Sequence, residues 1–173
     1  LLLTGVGSIV LGMGLPTTAA YVVLAALGAP ALVQLGVPLL AAHLFIFYFG
    51  CISNVTPPVS LAAYAAAGVA DSPPVRTAFT AMVLAGAGFI VPFMFVYSPA
   101  LLLQGSLPEI VLITGTAVLG LTALASATMG YSTRPLAVWE RVLLAIAGLA
   151  LGLPGLAADV FGLILGVVIV SRR

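Results

Sequence analysis

The chain has 173 residues, of which 63% are apolar, and its formal charges are five Arg and four acidic side chains, with no Lys. A globular domain of ordinary composition is about 25% charged; this one is 5% charged with a mean hydropathy of +1.34, so most of its solvent is lipid. Nucleic acid is excluded as a partner, because phosphate binding needs clustered basic residues and the net charge is only +1. The single cysteine forms no internal disulfide and leaves the redox compartment open.

Charge is absent from Leu1 to Ala70, where the only ionisable ring is His43. The sequence opens Leu-Leu-Leu-Thr, without Met, a basic leader or a cleavage site, and reads as a fragment of something longer. In lipid a backbone must satisfy its own hydrogen bonds, so a Pro or Gly cluster inside an apolar run is a physical event. The first such cluster is Gly12-Met13-Gly14-Leu15-Pro16-Thr17-Thr18. It separates an arm of about eleven residues, rising about 16 Å, from another over Ala19 to Leu27. Neither arm crosses a hydrocarbon core of about 30 Å, which predicts a re-entrant helical hairpin over residues 1–28.

The second cluster is Ser53-Asn54-Val55-Thr56-Pro57-Pro58, between helical runs from Val37 to Cys51 and from Val59 to Ala70. These runs predict one interrupted membrane helix over 37–70. Both clusters place small or polar residues, then Pro, before an alanine-rich helix containing Ala-Ala-Tyr. Pro suits a first helical turn, and Thr can cap the neighbouring donors. Each break then exposes a carbonyl end with partial negative charge and an amide end with partial positive charge. Carbonyls with Ser, Thr and Asn oxygens suit a cation, and amide ends suit an anion. Paired interrupted segments are the sequence pointer to a secondary-transporter site. The competing reading, packing kinks alone, explains one break better than two of the same grammar.

Farther along, Thr77 to Leu103 predicts a membrane helix with a packing kink at Pro92, and Ile110 to Met129 predicts a full span. Residues 137–170 predict a helical hairpin turning at Pro154-Gly155, with Gly148 opposite Gly162 so that the backbones approach closely. If Arg76 is cytoplasmic, alternate crossings put Gln104 to Glu109 outside, Arg134 and Arg141 inside, Pro154 to Asp159 outside and Arg172-Arg173 inside, gathering every arginine on one side. Trp139, with Arg141, and Tyr97 read as interface anchors, and Glu140 and Arg141 as headgroup-zone residues. The fold class is all-α and polytopic.

His43 has two readings: a proton-sensitive accessory group facing the site, or a neutral ring bonded to a neighbouring helix. Cys51, without a partner cysteine or adjacent base, reads as a buried small hydrophobe. Catalysis has little to work with, since there is no metal-ligating cluster, no phosphate-binding Gly-Lys loop, and no Ser and His pair on one helix. No cofactor is expected.

The motifs in order, Gly12-Met13-Gly14-Leu15-Pro16-Thr17-Thr18-Ala19-Ala20-Tyr21, Ala42-His43-Leu44-Phe45-Ile46-Phe47-Tyr48-Phe49-Gly50, Asn54-Val55-Thr56-Pro57-Pro58-Val59-Ser60-Leu61-Ala62-Ala63-Tyr64 and Phe89-Ile90-Val91-Pro92-Phe93-Met94-Phe95-Val96-Tyr97, resemble the fused permease of tripartite ATP-independent periplasmic (TRAP) transporters. The resemblance is to the type served by a TAXI solute-binding protein. It covers residues 1–104, the C-terminal part of the large-subunit region, while 105–173 resemble a C-terminal membrane extension. It implies an elevator-type importer of organic acids such as carboxylates. The importer would be driven by sodium, fed by a periplasmic binding protein, and set in a bacterial or archaeal cytoplasmic membrane with its C-terminus inside. A first repeat and a small-subunit region are implied upstream as partners of the same permease. Carried onto this sequence, the hairpin tip is Gly12, Met13, Gly14, Pro16, Thr17 and Thr18, and the loop is Ser53, Asn54, Val55, Thr56, Pro57 and Pro58. The resemblance implies that these hold sodium and border the substrate, with no transition metal. The rival readings are a channel or pore module and, most of all for 105–173, an assembly domain without a site.

Overall fold

The computed structural model describes residues 1–171, apart from the side chains of Leu156, Val170 and Ser171. The expected inside position of Arg172-Arg173 lies outside the described residues. Among them the fold is all-α, with one isolated bridge between Tyr131 and Pro135 and no strand. The chain divides into two compact units, Leu1–Ala85 and Gly86–Arg173. Two helices, Thr17–Gln34 and Leu107–Met129, are each long and apolar enough to cross a membrane.

The first unit holds α1 (Leu2–Gly12), α2 (Thr17–Gln34), α3 (Leu39–Ile52), α4 (Leu61–Val69) and α5 (Pro74–Leu84). Its interior lies between α1, α2 and α3, where small residues let the helices close in: Ala20, Ala29, Ala41 and Ala42 are buried around Phe45 and Ile46. A Cβ on Gly5 would stand 3.1 Å from the Phe49 ring. Outward, Val22, Val23, Leu27 and Val33 of α2 are exposed. Apolar outside and small inside is the packing that lipid selects, because helices there gain nothing by hiding Leu and Val from each other's surroundings.

The hairpin departs from expectation in its second arm. Helix α2 runs 18 residues, through Gly28 and Pro30 to Gln34, and so is long enough to span. The reason is packing. A Cβ on Gly28 would stand 3.3 Å from Ile46 Cγ2 of α3, so the glycine is where two helices meet and not where one ends. The helix continues past Pro30 and ends two residues before Gly36, which has φ +85°.

The second unit holds α6 (Val91–Tyr97), α7 (Leu107–Met129), α8 (Val138–Leu151) and α9 (Leu156–Ser171), with 3-10 turns at Gly86–Phe89 and Pro99–Leu102. The expected single helix over 77–103 is therefore broken, and the division between the two units falls at 85/86. Residues 86–102 pack on α7: a Cβ on Gly86 would lie 3.1 Å from Thr128 Cγ2. Pro92 makes no kink, since it occupies the first turn of α6, where a missing N–H costs nothing.

Helices α8 and α9 form the expected hairpin, but its glycines meet other partners. A Cβ on Gly148 would fall 2.6 Å from Gly120 O and Leu124 Cγ of α7, so the close backbone approach is α7 to α8. Gly162 lies instead against Leu151 and Ala147 of α8. Glu140 is only 3% exposed and is bridged by Arg134. The same carboxylate accepts the Ala137 N–H at 2.8 Å, capping α8. Arg141 turns back to α7, donating from Nε to Ala127 O at 2.8 Å and from Nη2 to Thr128 O at 2.9 Å. A cation there satisfies terminal carbonyls and opposes the helix dipole.

Gly148→Ala is expected to destabilise the protein by about 1–3 kcal/mol, the usual cost of overpacking against backbone. Gly166→Ala, where a Cβ meets nothing within 4 Å, leaves stability unchanged or slightly raised. Thermal unfolding in detergent compares the two.

Candidate functional site

The two Pro-marked breaks lie side by side in the first unit. Helix α1 ends at Gly12, Met13 turns extended, and Gly14 takes φ +80°, which a side chain would resist. Pro16 then precedes α2, whose first residues are Thr17 and Thr18. No side chain caps this helix, correcting the expected Thr cap, and both threonines are exposed. The α2 amide end is thus open to a ligand, flanked by two hydroxyls.

At the second break α3 passes into a 3-10 turn at Ser53–Val55, Thr56 is extended, the Pro57-Pro58 bond is cis, and α4 begins after Ser60. A Cβ on Gly12 would stand 2.9 Å from Ser53 Oγ and 3.4 Å from Gly50 Cα, and one on Gly14 would stand 3.7 Å from Val59 Cγ1. The absence of side chains at Gly12 and Gly14 is what lets the tip reach the loop.

The polar side chains of the loop all point their protons at the end of α3. Ser53 Oγ donates to Gly50 O at 2.7 Å, and Thr56 Oγ1 donates to Ile52 O at 2.9 Å. Asn54 Nδ2 reaches Cys51 O at 3.4 Å. With the protons spent on carbonyls, the lone pairs of both hydroxyls and of Asn54 Oδ1 remain as acceptors. That polarity suits a cation. The proline loop is itself tied down, since Tyr64 OH donates to Pro58 O at 2.8 Å.

Ser60 escaped the sequence reading. It is wholly buried with φ +37°, and its hydroxyl is the one buried side-chain oxygen among the described residues without a hydrogen-bond partner. A Ser directly ahead of an alanine-rich helix was the available signal, as an N-cap, but here it makes no cap bond. His43 bonds through Nδ1 with Tyr21 OH at 3.0 Å, across from α3 to α2, which is the neighbouring-helix arrangement. Cys51 is partly buried.

Residues 1–110 match the family model described as Tripartite ATP-independent periplasmic transporter, DctM component. The chain belongs to this family. Searches among curated proteins and among solved structures returned no match. The match takes in both breaks and ends within the first turn of α7. As a DctM-family chain with membrane-capable helices, it is an integral membrane protein and part of a TRAP permease, a kind of transporter that works with a periplasmic binding protein.

Ser60→Gly is expected to stabilise the resting protein by about 1–2 kcal/mol, because it removes a left-handed side chain and an unpartnered buried hydroxyl. A higher unfolding midpoint in sodium-free buffer is the check.

Proposed function

We propose that the first unit carries part of the transport site of a sodium-coupled importer of organic acids, loaded by a periplasmic binding protein of the TAXI type. The observation that supports this most is the packing of Gly12 against Ser53, which brings the hairpin tip against the second break. Sodium sits against the α3 end among the oxygens of Ser53, Asn54 and Thr56, with Val55, Pro57 and Pro58 shaping the loop and Ser60 as a further donor of lone pairs. The substrate carboxylate meets the α2 amide end and the hydroxyls of Thr17 and Thr18, with Gly12, Met13, Gly14 and Pro16 forming the tip.

Coupling follows from charge. Residues 1–70 carry no charged side chain, so a carboxylate held there has no arginine to meet. The positive charge comes from the ion, and each ligand raises the affinity for the other by the same factor. The loaded body then moves against a fixed scaffold and empties toward the side where sodium is dilute. The arginines mark the cytoplasmic side of a cytoplasmic membrane, with the C-terminus inside. His43, held by Tyr21, is accessory.

The test is uptake by the permease that contains this chain, reconstituted with its binding protein. Thr56→Ala and Thr17→Val are each expected to raise the sodium concentration for half-maximal uptake about tenfold, the effect of losing about 1.4 kcal/mol of charge-assisted binding. Unchanged sodium dependence in both variants overturns the assignment, and flux that neither saturates nor needs the binding protein favours a pore.

A further inference from the structure

The second unit buries a carboxylate whose side-chain partner is a threonine hydroxyl and not a cation. Asp159 lies in the first turn of α9 and is 8% exposed. It had been expected in an outside loop. Among the described residues no arginine pairs with it: Arg134 is taken by Glu140, and Arg141 by the carbonyls of Ala127 and Thr128. A charge buried without a counter-charge is costly, so it either neutralises or holds a cation.

The carboxylate faces a cavity of about 10 Å³, lined also by Ser98, Thr116, and the end of α8 from Leu151 to Pro154. That is room for about one water-sized sphere. Ser98 is 3% exposed. Thr116 donates a hydrogen bond to the Asp159 carboxylate, and its hydroxyl also lies 3.2 Å from Ile113 O. The Thr116 oxygen keeps a lone pair beside the carboxylate. The α8 terminus adds the negative end of a helix dipole, and the first turn of α9, which carries Asp159, adds a positive one. Among the described residues no cationic side chain lines the space.

We propose that this cavity binds a single sodium-sized monovalent cation, with Asp159 as its charged ligand and Thr116 and Ser98 as neutral ones. The site joins α6–α7 to the α8–α9 turn, and Asp159, Thr116 and the α8 end lie beyond the residues matched by the family model. It does not depend on the transport site in the first unit. Occupancy fastens the α8–α9 hairpin onto α7, so the cation acts first on stability.

The test uses the complete permease in detergent, with thermal unfolding followed in sodium chloride against choline chloride at equal ionic strength. A background carrying Thr17→Val and Thr56→Ala separates this site from the proposed transport site. Sodium is expected to raise the midpoint in that background, and Asp159→Asn to abolish the rise. Ser98→Ala, which keeps the carboxylate, is expected to raise the half-stabilising sodium concentration about tenfold, so the idea stays testable if the Asp159 variant does not fold. An equal sodium response with and without Asp159→Asn overturns the proposal. So does a wild-type protein stabilised in choline chloride by acid alone, which makes the group a proton carrier.

Discussion

A chain in lipid cannot leave a peptide group without a partner, because no water is at hand to supply one. Ending a helix inside the apolar zone strands several carbonyls at once. The second break in this protein resolves that within a few residues: Ser53, Asn54 and Thr56 give their protons to Gly50, Cys51 and Ile52, and Tyr64 secures Pro58. The repair sets the electrostatics of the place. Donors consumed on carbonyls leave oxygen lone pairs behind, so a loop that is stable for backbone reasons also has a polarity that suits a cation.

Small residues turn that local solution into a shared one. The tip reaches the loop because Gly12 and Gly14 present no side chains to it, and the same economy operates in the second unit, where Gly120 and Gly148 bring α7 and α8 into backbone contact. Each approach is made by van der Waals packing, which in lipid replaces the hydrophobic force between helices. Arg141 adds a polar clamp across the second contact by reaching from one helix to the last carbonyls of the other. The arginine is thereby structural, whatever it contributes to the sidedness of the membrane.

Both breaks and the all-α class were legible in the sequence, because Pro and Gly interrupt an otherwise unbroken apolar record. What escaped it depended on partners distant in the chain. Gly28 and Pro30 look like a helix end, but contact with Ile46 makes Gly28 a packing position inside α2. Gly148 and Gly162 fit a symmetric turn in sequence, yet Gly148 belongs to Gly120, a residue on another helix. Ser60 went unread because its buried, left-handed conformation ahead of α4 is set by the fold, and it makes no cap bond. Asp159 looked like a loop acid until the turn at Pro154-Gly155 folded it inward.

The two units solve the problem of charge in opposite ways, and the difference bears on what each can sense. The paired breaks hold only dipoles and neutral oxygens, none of which titrates near neutrality. An aspartate there would repel a carboxylate substrate and tie affinity to pH, whereas the proposed site draws its positive charge from an ion and loses it when the ion leaves. That exchange makes the electrostatics of the site follow the sodium gradient itself. Asp159 is bound by no such restriction, because nothing places an anionic substrate beside it. A fixed charge there serves to retain a cation, which is what fastening a hairpin requires and what a release step would forbid.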